Sequence, residues 1–276
     1  MTEPLEGTGR VAVVGIGPGA ATTCTPEVCE LLEHATDWVG YDTYLDFAQA
    51  IVTPRPNQTQ HRSDNREEST RARAALDLAA SGRHVVVISS GDPGVFAMAA
   101  AVMEQLDEMG TAPPWAGVVV SVHPGISAAQ AAAARVGAPL GHDFCVVSLS
   151  DNLKPWSIIE QRLDAGAGAD FVLALYNPRS RARPAQFARA IEILRAHRAD
   201  DTPVVIARDV GRPDEHIRVL TLGALAEPAG SDTVDMRTVV IVGSSQTRTL
   251  ARTSSTGTGG AWMYTPRSYP PNSSTR

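Results

Sequence analysis

The residues that suggest chemistry here are small ones, placed where strands end. Four consecutive β-branched residues, Val85 to Ile88, run into Ser89-Ser90-Gly91-Asp92-Pro93-Gly94, and the apolar run opened by Arg10 ends in Gly15-Ile16-Gly17-Pro18-Gly19. Two further runs end in His123-Pro124-Gly125-Ile126-Ser127-Ala128 and in Tyr176-Asn177-Pro178. At the carboxyl ends of strands in an open α/β sheet, such residues let backbone N–H and C=O groups touch a bound molecule directly. Taken singly, the Gly91 loop reads equally well as an ordinary strand-to-helix turn with Asp92 capping the helix. The recurrence of the loop type favours a site. No Ser-His-Asp order, Walker lysine or zinc-type cysteine spacing accompanies these loops, so the pattern expects no metal.

Gly15, Gly17 and Ala20 formally satisfy the G-x-G-x-x-A dinucleotide fingerprint, which would imply a nicotinamide-dependent dehydrogenase. That fingerprint needs a helix N-terminus directly at the second glycine. Here the helix start is Thr25 as N-cap, Pro26 at the first helical position and Glu27 in the first turn. Pro18 to Cys24 therefore stands as a loop where the phosphate cradle should be, and the dehydrogenase becomes a distant alternative.

The elements that must hold these loops follow from periodicity. Val85–Ile88 reads as an interior strand of a parallel sheet, buried on both faces. Helices are expected over 26–35, 66–81, 95–109 and 128–135, and strands at VAVVGIG, DWVGYDTYL and GVVVSV. Gly137-Ala138-Pro139-Leu140-Gly141 reads as a linker. Beyond it, FCVVSLS, DFVLALY, TPVVIARD, HIRVLTL and TVVIVGSS are apolar runs, with helices near 155–165 and 184–197. Two of their connections are too short for crossover helices, so that sheet is expected to be mixed. The prediction is an α/β protein with an N-terminal domain over 10–138, a C-terminal domain over 142–248 and a flexible tail over 249–276. The tail's WMYTPRSYPP segment is aromatic enough to dock on a partner subunit or on the body of the protein.

Bulk properties agree with a globular chain of two domains. Its 276 residues carry 43% apolar and 20% charged side chains and a net charge of −6, which gives no general attraction to nucleic acid or to an anionic membrane. No apolar run approaches the roughly 20 residues that span a bilayer. The 3 cysteines, Cys24, Cys29 and Cys145, do not suggest a disulfide framework, and a cytoplasmic location is expected. Of the 24 basic residues only Lys154 is a lysine, so the chain is rich in planar guanidinium forks suited to carboxylates.

Taken in order, VGIGPG, SSGDPGVF, HPGISAA, YNP and VVIVGSSQTR resemble the tetrapyrrole (corrin/porphyrin) methyltransferases, over nearly the whole of 10–248. GYDTYL, the Asn65-Arg66-Glu67 neighbourhood, SDNLKPWSIIEQRL, YNPRSRAR, ARDVGRPDE and YTPRSY are most similar to the branch that methylates precorrin-3B at ring carbon 17 while contracting the ring. The resemblance implies two α/β domains with S-adenosylmethionine (SAM) as methyl donor in a cleft between them, a precorrin substrate, a place in cobalamin biosynthesis and a homodimer. A methyltransferase acting at another precorrin ring carbon is the nearer alternative. Position by position, the resemblance puts SAM against Pro18, Ser90, Gly91, Asp92, Val95, Ser127 and Ala128, and near Val210 and Gly211. Asn177 stands where relatives usually carry the methionine of a Tyr-Met-Gly motif.

A precorrin carries many carboxylates, so arginines are sought near the loops. Arg179, Arg181 and Arg183, with Lys154, are the favoured substrate contacts, and Arg62, Arg66 and Arg71 are further candidates. Ring contraction also needs an acid or a base, for which the sequence offers His61, Glu67, Asp46 and His216, although each reads more readily as a solvated or capping residue.

Overall fold

The computed structural model of the chain describes residues 9–64, 67–109, 113–252 and 260–269. Contacts divide the chain into two compact units, Met1–Ser127 and Ala128–Arg276. That division falls before the 128–136 helix rather than at the expected 137–141 linker. The reason lies in packing: Ala129, Ala132, Ala133 and Val136 are buried in one cluster with Val172, Val205 and Ile241 of the second unit.

The first unit is built from β1 (Arg10–Gly15), α1 (Pro26–His34), β2 (Asp37–Tyr41), α2 (Asp42–Ile51), β3 (Thr59–Ser63), α3 (Glu68–Ala80), β4 (His84–Ser89), α4 (Met98–Met109) and β5 (Val119–His123). Its strands lie in the order β3-β2-β4-β1-β5, all parallel. The β-branched runs of β1 and β4 sit in the middle because both of their faces can be covered. Val11, Val13, Val85 and Val87 pack with Ala72, Leu76 and Val102 of α3 and α4, while Ala12, Val14, Val86 and Ile88 pack with Val28, Leu32 and Leu45 of α1 and α2. The order β4-β1-β5 makes the carboxyl ends of these strands neighbours, which is what the loops require.

Two features of this unit depart from the sequence reading. DWVGYDTYL does not continue as a strand beyond Tyr41; Asp42 begins α2, whose Leu45 and Ala48 are fully buried. The polar segment before α3 contains β3, an edge strand with no fully buried residue. Its alternation is too weak and too polar to register as a strand, since only one neighbour defines it. Arg66 lies outside the described residues.

The second unit comprises α5 (Ala128–Val136), β6 (Gly137–Ala138), β7 (Phe144–Ser148), α6 (Trp156–Gly168), β8 (Val172–Tyr176), α7 (Gln186–Arg195), β9 (Pro203–Arg208), β10 (His216–Thr221), α8 (Leu222–Ala226), α9 (Pro228–Ser231), β11 (Thr238–Val242), β12 (Arg248–Ala251) and β13 (Ala261–Tyr264). The order β10-β9-β11-β8-β7 is mixed: only β7 and β8 run parallel, and the other pairs are antiparallel. Residues 260–269 fall in the expected flexible tail but pack on the second unit, in line with the expectation that the WMYTPRSYPP segment docks on a partner or on the body of the protein. β13 pairs with β12 and β6, Met263 is fully buried, and Tyr269 donates its hydroxyl to Asp170 at 2.7 Å. No helix of the described residues is long and apolar enough to cross a membrane.

Candidate functional site

In the first unit, the loops after β1, β4 and β5 meet with almost no side chain between them. Gly17 and Gly91 exchange backbone hydrogen bonds, Gly17 N to Gly91 O at 3.2 Å and Gly91 N to Gly17 O at 2.7 Å. Gly91 adopts a φ of 69°, a conformation that a residue with a Cβ reaches only under strain. A Cβ on Gly15 would collide with Gly91 O and come within 2.7 Å of Pro93 Cδ and 2.9 Å of Gly125 N. One on Gly125 would collide with Gly91 O and come within 2.6 Å of Gly15 O. The three loops are therefore joined backbone to backbone.

Asp92 closes this junction. Its Oδ1 accepts the Gly94 N–H at 2.8 Å and its Oδ2 accepts the Gly125 N–H at 3.1 Å. It is not a cap of α4, which starts only at Met98, because Ser90 to Ala97 form a longer non-helical connection. The carboxylate instead ties the second loop to the third through charge-assisted bonds. Ser90 and Val95 are half-buried around the junction, Pro18 is buried, and Ser127 is buried at the end of the third loop. Thr25 caps α1 as its sequence predicts, with Val28 N donating to Thr25 Oγ1 at 3.3 Å, and a 3-10 turn at Ala21–Thr23 occupies the preceding loop. No helix begins at the second glycine, so the dinucleotide fingerprint has no cradle.

The second unit arranges its strand-end loops by a different means. Asn177, with a φ of 52°, donates from Nδ2 to Ser148 Oγ at 3.0 Å. Arg183 is buried, with its Nη1 donating to Leu149 O at 2.7 Å and to Asn177 O at 3.1 Å. A buried guanidinium must be paired, and this one is spent on the carbonyls that follow β7 and β8. Arg183 is thus a brace and not a free substrate contact, which corrects the sequence reading. Arg181 is exposed, and Lys154 is half-buried, with its ammonium pKa pushed down by burial and by Arg162. Arg179 lies over the Phe187 ring at 5.6 Å and donates to Ser231 O at 3.3 Å, while its Nε is buried with no partner among the described residues.

After β9, Asp209 was missed from sequence although it organises the loop. Its side chain is buried and receives Arg208 at 2.9 Å, Arg237 at 3.3 Å and Arg212 at 3.4 Å. Gly211 N donates to Glu215 Oε2 at 2.7 Å, and Val210 is buried beside it. The available signal was an aspartate between Arg208 and Arg212 directly after a buried run. Ala128 heads α5, where the Tyr176 hydroxyl accepts the Ala129 N–H at 2.8 Å.

The acid–base candidates fall on separate elements, His61, Asp46 and Glu67 in the first unit and His216 in the second. His61 sits on β3 with Nε2 2.8 Å from Asp37 Oδ1, and Asp37 also receives the Arg83 fork at 2.6 and 3.0 Å and the Thr36 hydroxyl at 2.6 Å. Asp37 and Arg83 lie at the amino ends of β2 and β4, the opposite edge of the sheet from the glycine junction, so the His61 ring is committed to that network. Asp46 is exposed on α2 and paired with Arg62 at 2.9 Å. Glu67 stands exposed at the start of α3, and His216 is exposed at the start of β10. Arg71 is buried and donates to Ser63 Oγ at 2.9 Å and to Asp64 O, which removes it from the substrate candidates.

The family model "Tetrapyrrole (Corrin/Porphyrin) Methylases" matches residues 10–226. A curated precorrin-3B C(17)-methyltransferase of Sinorhizobium sp is 49% identical over 95% of this chain and 98% of its own length. The cobalamin biosynthesis protein CobIJ of Mycobacterium tuberculosis is 50% identical over 95% of this chain and 49% of its own, longer chain. The crystal structure of the methyltransferase CobJ superposes with a TM-score of 0.82 at 49% identity, covering 94% of this chain and all of that one. With a matching family model, close relatives and the same fold, this chain belongs to the tetrapyrrole (corrin/porphyrin) methylases.

Proposed function

We propose that this protein is a SAM-dependent methyltransferase of cobalamin biosynthesis that methylates precorrin-3B at ring carbon 17 with contraction of the ring. The observation that carries the cofactor half of this reading is the junction of Gly15, Gly91 and Gly125, a wall of backbone groups that no Cβ can enter. The substrate half is supported by 49% identity to the Sinorhizobium enzyme over nearly its full length. Pro18, Ser90, Gly91, Asp92, Val95 and Ser127 of the first unit, and Ala128, Asn177, Val210 and Gly211 of the second, are the proposed SAM contacts.

Methyl transfer from a sulfonium to a ring carbon needs alignment more than a reactive side chain, and orientation can supply about 7–11 kcal/mol in favourable cases. Backbone N–H and C=O groups held by Asp92 and by the Gly17–Gly91 bridge are suited to that, since they have no rotamer freedom to lose. Each Asp92 oxygen already accepts one N–H and keeps a second lone pair for a donor on the cofactor. For the substrate we retain Arg179, Arg181 and Lys154. Asp46, Glu67 and His216 remain the proposed acid–base candidates. We further propose a cytoplasmic homodimer, on the family resemblance.

Calorimetry with SAM and with NAD tests the cofactor: binding of SAM alone is expected, and binding of NAD alone would overturn the reading. Mass and absorption analysis of the product formed from precorrin-3B tests the reaction. A methylated, ring-contracted product is expected; methylation without contraction would move the assignment to another precorrin carbon. Arg181→Ala should raise the substrate KM more than the SAM Kd, and light scattering of the purified chain tests the dimer.

A further inference from the structure

We propose that Cys24 and Cys29 are a thiol–disulfide pair: a disulfide oxidant such as oxidised glutathione closes them into an intramolecular bond that clips the loop after β1 to the first turns of α1, and a thiol reductant reopens it. Position supplies the first argument. Thr25 is the N-cap of α1 and Pro26 its first residue, so Cys24 occupies the position just before the cap and Cys29 the fourth helical position. Side chains at these two positions are the ones that meet across a helix start, normally as a pair of hydrophobic residues.

Packing supplies the second argument. Both cysteines are half-buried and lie against one cluster, formed by Val14, Ile16, Val28 and Leu32 among others. Cys29 is the neighbouring thiol of Cys24; burial first, and this neighbour second, push the Cys24 pKa up to about 12. With the thiolate disfavoured at Cys24, we assign the first attack to Cys29.

The chemistry balances with one molecule of glutathione disulfide. The Cys29 thiolate attacks one sulfur, forming a mixed disulfide and releasing one glutathione as thiolate. The Cys24 sulfur then attacks the Cys29 sulfur as its proton leaves, the protein S–S bond forms, and the second glutathione departs as thiolate and is protonated. Two protein thiols are oxidised and one glutathione disulfide is reduced to two thiols. The loop so clipped is already fastened at its start by the Gly17–Gly91 bridge, and within it Thr23 N and Cys24 N donate to Ala20 O at 2.9 Å and Ala21 O at 3.2 Å. Oxidation fixes its second end.

The test uses the full chain, folded, incubated with oxidised glutathione, quenched with an alkylating agent and mapped by peptide mass before and after dithiothreitol. A Cys24–Cys29 link, lighter by two hydrogens and reversed by the reductant, is expected, with Cys145 still alkylated. Persistent glutathione on either thiol, a link to Cys145, or two free thiols would overturn the proposal. In Cys24→Ser the mixed disulfide at Cys29 has no internal thiol to resolve it and should accumulate; equal adduct in variant and parent would count against the pair. Amide exchange at Ala21 to Cys24 should slow roughly tenfold on oxidation, and unchanged exchange would remove the clip.

Discussion

The two units solve one problem with different materials. Each must hold the loops at the ends of its strands in fixed relation. The first does so with backbone: Gly17 against Gly91, and Gly15 and Gly125 packed too closely for a Cβ. The second does so with side chains: Arg183 gripping the carbonyls of Leu149 and Asn177, and Asp209 gripped by Arg208, Arg212 and Arg237. A backbone junction holds its loops by close approach and leaves no room for a Cβ at Gly15 or Gly125. A side-chain brace leaves room for variation at the loop surface but depends on one buried charge.

The largest expected effect is on the brace. Arg183→Met removes the donor from two carbonyls and leaves them unpaired, at a cost of about 3 kcal/mol in denaturant unfolding. Arg181→Met, two residues away and exposed, should stay within about 0.5 kcal/mol. Equal effects of the two variants would erase the distinction between brace and surface. Next comes the junction. Gly125→Ala must displace Gly91 or Gly15 backbone, and a loss of about 2 kcal/mol corresponds to a SAM affinity weaker by about 30-fold in calorimetry. Unchanged affinity would mean that the cofactor does not use this wall.

A smaller effect isolates the carboxylate that ties the second loop of the backbone junction to the third. Asp92→Asn keeps an acceptor for one N–H but replaces the other oxygen with a donor and removes the charge. We expect a loss of about 1 kcal/mol, a SAM Kd raised about fivefold, with the far-UV spectrum unchanged. A Kd unaffected by the change would reduce Asp92 to a local turn residue.

The contrast also explains what the sequence could reveal. Gly91-Asp92-Pro93-Gly94 and Pro124-Gly125 are legible because a close backbone approach can be met by one residue type only, and because β4 and β1 are buried on both faces and so read as uninterrupted apolar runs. In sequence Arg183 reads as a substrate contact because alternating arginines after a strand look alike in one dimension; which of Arg179, Arg181 and Arg183 turns inward depends on the carbonyls of Leu149 and Asn177, brought there by β7 and β8 pairing. β3 and α2 were missed for a related reason. An edge strand with one neighbour needs no apolar alternation, and DTYL has the composition of a strand until Leu45 and Ala48 find a common face. The 260–269 segment is similar, since its strand exists only by pairing with β12 and β6.

The smallest effect sharpens the comparison within the first unit, because the amino edge of its sheet is braced by side chains in the manner of the second. Burial alone would raise the pKa of Asp37, but the Arg83 fork, the Thr36 hydroxyl and the His61 ring outweigh it and hold the carboxyl below its ordinary value. A depressed carboxyl contributes stability in full above its unfolded pKa of about 3.9, and that contribution is lost as the pH falls through the lower, folded value. Denaturant unfolding measured from pH 6 downward should therefore show the parent losing stability below about pH 4 more steeply than Asp37→Asn, which has no proton to take up there. Parallel acid limbs would remove Asp37 from the account. A steeper parent limb, with SAM affinity at neutral pH equal in parent and variant, would show that side-chain bracing belongs to the amino edge while the glycine junction alone serves the ligand.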